Sequence, residues 1–230
     1  MLKNTLINIK ATKKVAAALG DLNDEVVYVG GAMVSLYIDD PAAEDIRPTK
    51  DIDLTFQLAS FAKLEELREA LVARGFTQNA DDPVNCRFRY EDLFVDVMST
   101  EGVGWAPSNP WFKMGFEKAI TKKLDEVTIK ILPLSYFLAT KMVAFYDRGI
   151  KDIYASHDLE DITYLLNYTS DIDTQIMQTD VEVKDYLIEK LTEFLNNKSI
   201  SAAMQGCLHY SEVEERMEII QQRIKNVIGS

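Results

Sequence analysis

Residues 26–38 read VVYVGGAMVSLYI and residues 51–56 read DIDLTF. The first is a short β-branched run stopped by Gly30 and Gly31, after which apolar residues of helix-compatible composition resume. The pattern predicts a strand, a tight turn and a helix. The second stretch alternates polar and apolar residues, as a half-buried strand does, and side chains alternate faces along a strand. Asp51 and Asp53 therefore share one face. Between the two, residues 39–49 (DDPAAEDIRPT) carry two prolines and several acids and read as a loop.

Working outward, Leu6, Ile9, Val15, Ala18 and Leu19 fall near helical spacing with Gly20 as a stop, which predicts an amphipathic first helix. Downstream, Phe61, Leu64, Leu67 and Leu71 predict a helix over 60–74, with Ser60 as its N-cap and Gly75 just past its end. VNCRFRY (84–90) and LFVDVMS (93–99) are β-rich runs separated by Glu91 and Asp92, the pattern of a hairpin, and the second places Asp96 between Val95 and Val97. After a loop holding Pro107 and Pro110, AITKKL (119–124) and EVTIKIL (126–132) predict two more strands, and Pro133 opens a helix. Beyond it only helices are read, near 158–167, 181–196, 199–209 and 211–228, with Asp180, Ser199 and Ser211 as N-caps. The expected fold class is α+β: an N-terminal mixed sheet flanked by helices in residues 1–132, then a C-terminal helical bundle in residues 133–230.

The composition narrows the classes of function. Nearly half of the chain is apolar, 27% is charged and 10% aromatic, which suits a folded protein and argues against general disorder. With 25 basic and 37 acidic residues the net charge is −12, so no overall positive field draws in nucleic acid, and such a partner would need a local basic patch. The two cysteines, Cys86 and Cys207, lack the paired spacing of a zinc site or disulfide framework and read as buried reduced thiols. The first residues offer no continuous apolar signal segment, and no stretch approaches the ~20 apolar residues of a membrane span. A cytoplasmic protein without a membrane partner is expected.

Three features carry chemistry. Asp51 and Asp53 can together hold a divalent cation, although such a pair also suits a solvated strand face. Asp96 is a third carboxylate on a strand that can lie beside them, and three converging carboxylates repel one another unless a cation neutralises them. Gly30 and Gly31 stand where a strand meets a helix, a place for an anionic phosphate, although a glycine pair is often only a turn. No Walker lysine follows, which removes the ordinary P-loop.

The order strand-GG-helix, then TKDIDL, then a carboxylate on a later strand resembles the polymerase-beta-like nucleotidyltransferase superfamily. Within it, YVGGAMVSLYIDD, RPTKDIDL, RYEDLFVDVM and ATKMVAFYDRGIKDIYASHDLEDI are similar to the AbiEii/AbiGii toxin-like nucleotidyltransferases, over about residues 26–165. The resemblance implies a nucleotidyltransferase-type sheet and transfer of a nucleoside monophosphate from an NTP to a hydroxyl acceptor, with two Mg²⁺ ions and release of pyrophosphate. It assigns Asp51, Asp53 and Asp96 to the metals, with Asp96 also helping to deprotonate the acceptor. Gly30 and Gly31 would position the triphosphate. A lysine on the helix after the sheet, matched by Lys141, would neutralise developing charge, and Asp158 and Asp161 match a downstream D-x-x-D motif. The acceptor implied is RNA, tRNA above all, for a toxin paired with an antitoxin protein, or a small aminoglycoside-like molecule.

Competing readings exist. A DxD pair also serves metal-dependent glycosyltransferases, but the GG turn before it and the carboxylate after it disfavour that class. His157 beside Asp158 resembles an HD-type phosphohydrolase, whose site needs several histidines where this chain has His157 and His209 alone. A non-catalytic nucleotide-binding protein stays open. Arg87, Arg89 and Arg148 could contact phosphate, yet each alone reads as a surface residue.

Overall fold

The computed structural model describes residues 2–49 and 51–229. The chain is α+β and divides into two compact units, one made of residues up to Ser35 with Glu44–Pro133, the other of Leu36–Ala43 with residues from Leu134 onward.

The first unit is built on a mixed sheet of six strands in the order β3-β4-β2-β1-β6-β5. β1 (Val26–Val29) is buried at every position, and a strand buried on both faces reads as a continuous apolar run, as VVYV does. It pairs antiparallel with β2 (Asp51–Phe56), Val29 opposite Asp53, and parallel with β6 (Val127–Ile131) through Tyr28 and Ile131. β2 in turn pairs parallel with β4 (Leu93–Ser99) in a register that sets Asp53 opposite Asp96. The edges are β3 (Arg87–Tyr90) and β5 (Ile120–Leu124), each joined to its neighbour by a two-residue turn. The first residues of these turns, Glu91 and Asp125, take positive φ of 52° and 54°.

Helix α1 (Lys3–Leu19) belongs to the same unit. Its Lys14 reaches the β3–β4 turn, 2.5 Å from Glu91 and 2.8 Å from Asp92, while Lys13 reaches the β5–β6 turn, 2.8 Å from Asp125 and 3.0 Å from Glu126. Adjacent lysines thus tie one helix to hairpin tips at both edges of the sheet, although solvent screens such exposed pairs strongly. α2 (Phe61–Ala73) begins at Ser60, whose hydroxyl accepts from the Lys63 amide, and buries Leu64, Leu67 and Leu71. A short helix, α3 (Phe112–Glu117), precedes β5.

The second unit is helical: α4 (Leu134–Asp147), α5 (His157–Tyr168), α6 (Ile172–Met177), α7 (Val181–Asn196), α8 (Lys198–Gly206) and α9 (Val213–Ile228). α4 is buried continuously from Leu134 to Met142, the signature of a central helix. Phe145 meets Phe194 of α7 edge-on at 5.3 Å. Arg223 of α9 donates to the carbonyls of Leu166 and Asn167 at 2.7 and 2.6 Å, satisfying acceptors that the end of α5 would leave open. Residues 36–43 join this unit because Thr169 Oγ1 donates to the Tyr37 carbonyl, Asp39 and Asp40 amides bond the Tyr168 carbonyl, and Tyr37 stacks on Phe137 at 4.7 Å.

The strands, both hairpins and the helices at 60–74 and 181–196 lie where the sequence predicts them. Four expectations change. After Gly30 the chain makes a seven-residue 3₁₀ turn, Gly31–Tyr37, instead of an α-helix. The buried face of α1 is Asn8, Ala11, Thr12, Val15, Ala16 and Leu19, and Leu6 is exposed. Val15 and Leu19 are fully buried as the spacing predicts, Ile9 and Ala18 lie at the margin of the buried face, and Leu6, near the start of the helix, is the predicted residue that stays exposed. The cap of α8 is Asn197, which accepts from the Ser199 and Ile200 amides, in place of Ser199, and the residue before α9 is Glu212 in place of Ser211. Cys86 is buried as expected, whereas Cys207 at the end of α8 is exposed. Helices α3 and α6 are each too short to show a period.

Ile52, fully buried between Asp51 and Asp53 and facing away from them, tests whether the sheet core holds the acidic face in place. Ile52→Ala is expected to cost about 2–5 kcal/mol, measured by urea denaturation of the whole chain.

Candidate active site

Strand pleating builds an acidic face on the sheet unit. Ile52, Leu54, Val95 and Val97 are fully buried on one side of β2 and β4, which turns Asp51, Asp53 and Asp96 to the other. Asp53 and Asp96 stand directly opposite each other across the parallel pair, and Asp51 lies one pleat away on β2. All three are only partly exposed. Thr49 sets the entry to β2, its hydroxyl accepting from the Asp51 amide at 3.3 Å, and its own amide is held at 3.2 Å by buried Asn8 of α1.

Gly30 completes this face from β1. Its φ is +74°, and a Cβ added there would lie 1.7 Å from Asp53 Oδ2. Only a residue without a side chain lets backbone and carboxylate come so close. Gly31 opens the 3₁₀ turn, and the Met33 amide bonds back to the Gly30 carbonyl at 3.2 Å.

The acidic face carries its own cation. Arg87 of β3 is the register partner of Asp96 and grips it in bidentate fashion, Nε to Oδ1 at 2.8 Å and Nη2 to Oδ2 at 2.7 Å. The same Nη2 lies 3.4 Å from Asp51 Oδ2. The guanidinium packs over the Phe94 ring at 4.7 Å. Hydrogen bonding to Asp96 holds the Arg87 pKa above its ordinary value, and burial together with the Asp96 charge pushes the neighbouring Cys86 thiol up to about 11.

As chemistry, three carboxylates on adjacent strands are the hard oxygen donors that Mg²⁺ takes. As arranged, both oxygens of Asp96 are engaged by Arg87, and no three His, Cys, Asp or Glu among the described residues are gathered as a ligand group. At Asp51, Arg87 reaches a single oxygen, at 3.4 Å.

Arg87 was legible in the sequence only by counting. With Glu91 and Asp92 forming a two-residue turn, residues step back and forward in pairs, and Arg87 falls opposite Asp96. Read one at a time, the arginines look like surface residues. Arg89, on the same strand, turns to Asp82 instead, 2.5 Å away.

Lys141, Asp158 and Asp161 come together in the helical unit. Lys141 Nζ is 2.6 Å from Asp161 Oδ2 and 3.7 Å from Asp158 Oδ1, with all three side chains under 8% exposed. Arg148, largely exposed, caps the group by donating to both Asp158 oxygens at 2.7 and 3.0 Å. Two cations and two carboxylates balance, which a buried charge group requires. Asp158 and Asp161 share one face of α5 as three-residue spacing dictates, and Ser156 caps that helix through the Leu159 amide.

The family described as nucleotidyl transferase AbiEii toxin, type IV TA system, matches residues 15–217. The chain belongs to this family. AbiEii membership makes it a nucleotidyltransferase of toxin–antitoxin context, for which an NTP is the substrate and an antitoxin the implied counterpart. No curated protein sequence matches it significantly. Among solved structures, an antigenic nucleotidyltransferase-like protein from Paracoccidioides brasiliensis is similar, with a TM-score of 0.45 and 14% identity over 89% of this chain and 96% of that one. Among the described residues no helix is long and apolar enough to cross a membrane.

Two variants separate the roles of these groups. Gly30→Ala should leave the chain folded, at a cost of about 1–2 kcal/mol for a side chain at positive φ, while displacing Asp53 and removing nucleotide transfer; normal transfer would show that the close approach is dispensable. Lys141→Ala removes the amine that buried Asp161 accepts from, while Arg148 still holds Asp158, and should destabilise the chain by about 3–5 kcal/mol, with Lys141→Met combined with Asp161→Asn recovering part of the loss in urea denaturation.

Proposed function

We propose that this chain transfers a nucleoside monophosphate from an NTP to a hydroxyl of an RNA acceptor, a tRNA end foremost, in the cytoplasm and with Mg²⁺, as the toxin of a toxin–antitoxin pair. The observation that carries this reading is the register of β2 against β4, which sets Asp53 opposite Asp96 with Gly30 pressed against Asp53. In this reading the sheet unit is the catalytic domain, about residues 1–132, and residues 133–230 are its helical companion.

The acceptor hydroxyl oxygen bonds to the α-phosphorus as the bond from that phosphorus to the bridging oxygen breaks, and pyrophosphate leaves with the electron pair. Asp96 takes up the hydroxyl proton. Gly30 and Gly31 present backbone without side chains to the triphosphate, where any Cβ at Gly30 would already collide with Asp53. Asp51, Asp53 and Asp96 are the residues to hold Mg²⁺, which when bound supplies neutralisation of phosphate charge. Lys141 and Asp158, which the family resemblance assigns to the reaction, lie in the helical unit. Their burial in one ion group with Asp161 supports a role for both in holding α4 against α5.

The net charge of −12 favours a second reading, a small-molecule hydroxyl as acceptor, because a large RNA would meet an unfavourable overall field. A nucleotide-binding protein without turnover is the third outcome. Incubation with each α-³²P-labelled NTP and Mg²⁺, in total RNA and separately in small-molecule extract, discriminates among them. Label in RNA supports the first reading and label in a small molecule the second. Asp53→Ala should lower transfer at least about a hundredfold, the scale of losing a metal-site group, without lowering the melting temperature, and EDTA should abolish transfer. NTP binding without transfer in any fraction would leave only the binding role.

A further inference from the structure

The carboxylates of the sheet face are held here by a side chain of the protein itself. Arg87 is 16% exposed, fixed by two charge-assisted hydrogen bonds to Asp96, within 3.4 Å of Asp51, and backed by the Phe94 ring. Its place follows from the hairpin register, so it is part of the fold and not a wandering surface arginine. A guanidinium stays protonated under all ordinary conditions, which makes this a permanent charge.

From this geometry we infer that Arg87 is the resident counter-ion of the acidic face and competes with the divalent cation for Asp96, so that metal binding and release of Arg87 are one event. The inference rests on the metal-dependent reading above and adds a residue to it. Without metal, the guanidinium relieves repulsion among Asp51, Asp53 and Asp96. A metal ion that takes Asp96 together with Asp51 or Asp53 meets the guanidinium on both Asp96 oxygens and is repelled by its charge. The carboxylates are thereby kept from being either bare or closed to metal. The released guanidinium, still tethered to β3 beside the same face, is a bidentate donor suited to phosphate oxygens.

The test is Mn²⁺ binding, followed by electron paramagnetic resonance on the whole chain without nucleotide, for wild type and Arg87→Gln. Removing the charge should tighten Mn²⁺ binding by about tenfold or more, the scale set by one charge a few ångström from the ion, with a larger metal-induced rise in melting temperature. The gain should shrink at high salt. A second measurement on the unaltered chain guards against a misfolded variant: the Arg87 Nε–H resonance, assigned by its absence in Arg87→Lys, should be protected from exchange without metal and lose that protection on Mg²⁺ saturation. Equal, measurable Mn²⁺ affinities in wild type and a folded Arg87→Gln chain, or Mg²⁺ binding with Nε–H still protected, would overturn the inference while leaving metal-dependent transfer standing. Absence of binding in both chains would overturn the metal reading and the inference with it.

Discussion

The parallel pairing of β2 with β4 is the constraint on which the sheet unit's chemistry depends. It fixes Asp53 opposite Asp96, and carboxylates held at adjacent strand positions carry a repulsion that the fold must offset. The buried face of the same strands, Ile52, Leu54, Val95 and Val97, supplies hydrophobic stabilisation that keeps the register in place. A slip by one residue would turn these side chains to the outside and the carboxylates into the core. The hydrophobic core and the acidic face are therefore two consequences of a single alternation.

Charge balance is handled differently in the two units. In the sheet unit, Arg87 answers Asp96 and Asp51 at a partly open face. In the helical unit, Lys141 and Arg148 answer Asp158 and Asp161 under nearly complete burial of Lys141 and both carboxylates. There, exchange with solvent ions is costly, and removal of one partner leaves a stranded charge. Similar ion pairs thus stand at a partly open strand face in one place and as a buried link between α4 and α5 in the other.

Family membership and geometry contribute different parts of the functional account. The match over residues 15–217 makes the chain an AbiEii nucleotidyltransferase. The contact between Gly30 and Asp53, and the grip of Arg87 on Asp96, are properties of this chain's own backbone and side chains. They explain why a glycine must stand at the end of β1 and why Asp96 is not a bare carboxylate.

Much of this was written in the sequence. VVYV followed by two glycines, the alternation of DIDLTF, and the Glu91–Asp92 turn each rest on local rules of strand pleating and turn chemistry, so strands and hairpins fell where they were read. The same rules put Asp51 and Asp53 on one face. Local pattern could not say which strand lies beside which, since β2 and β4 are separated by a helix and a further strand, and their pairing is set by which faces bury together. Nor could it give the burial of the polar residues Asn8 and Thr12 on α1, or the 3₁₀ form of Gly31–Tyr37, whose end passes into the helical unit. Lys141, Asp158 and Asp161 were visible as charges but their partners were not, and Arg87 showed its partner only through the count across the hairpin. Ion pairing depends on distance in space, and only the assembled sheet and the packed helices bring those side chains within hydrogen-bonding reach.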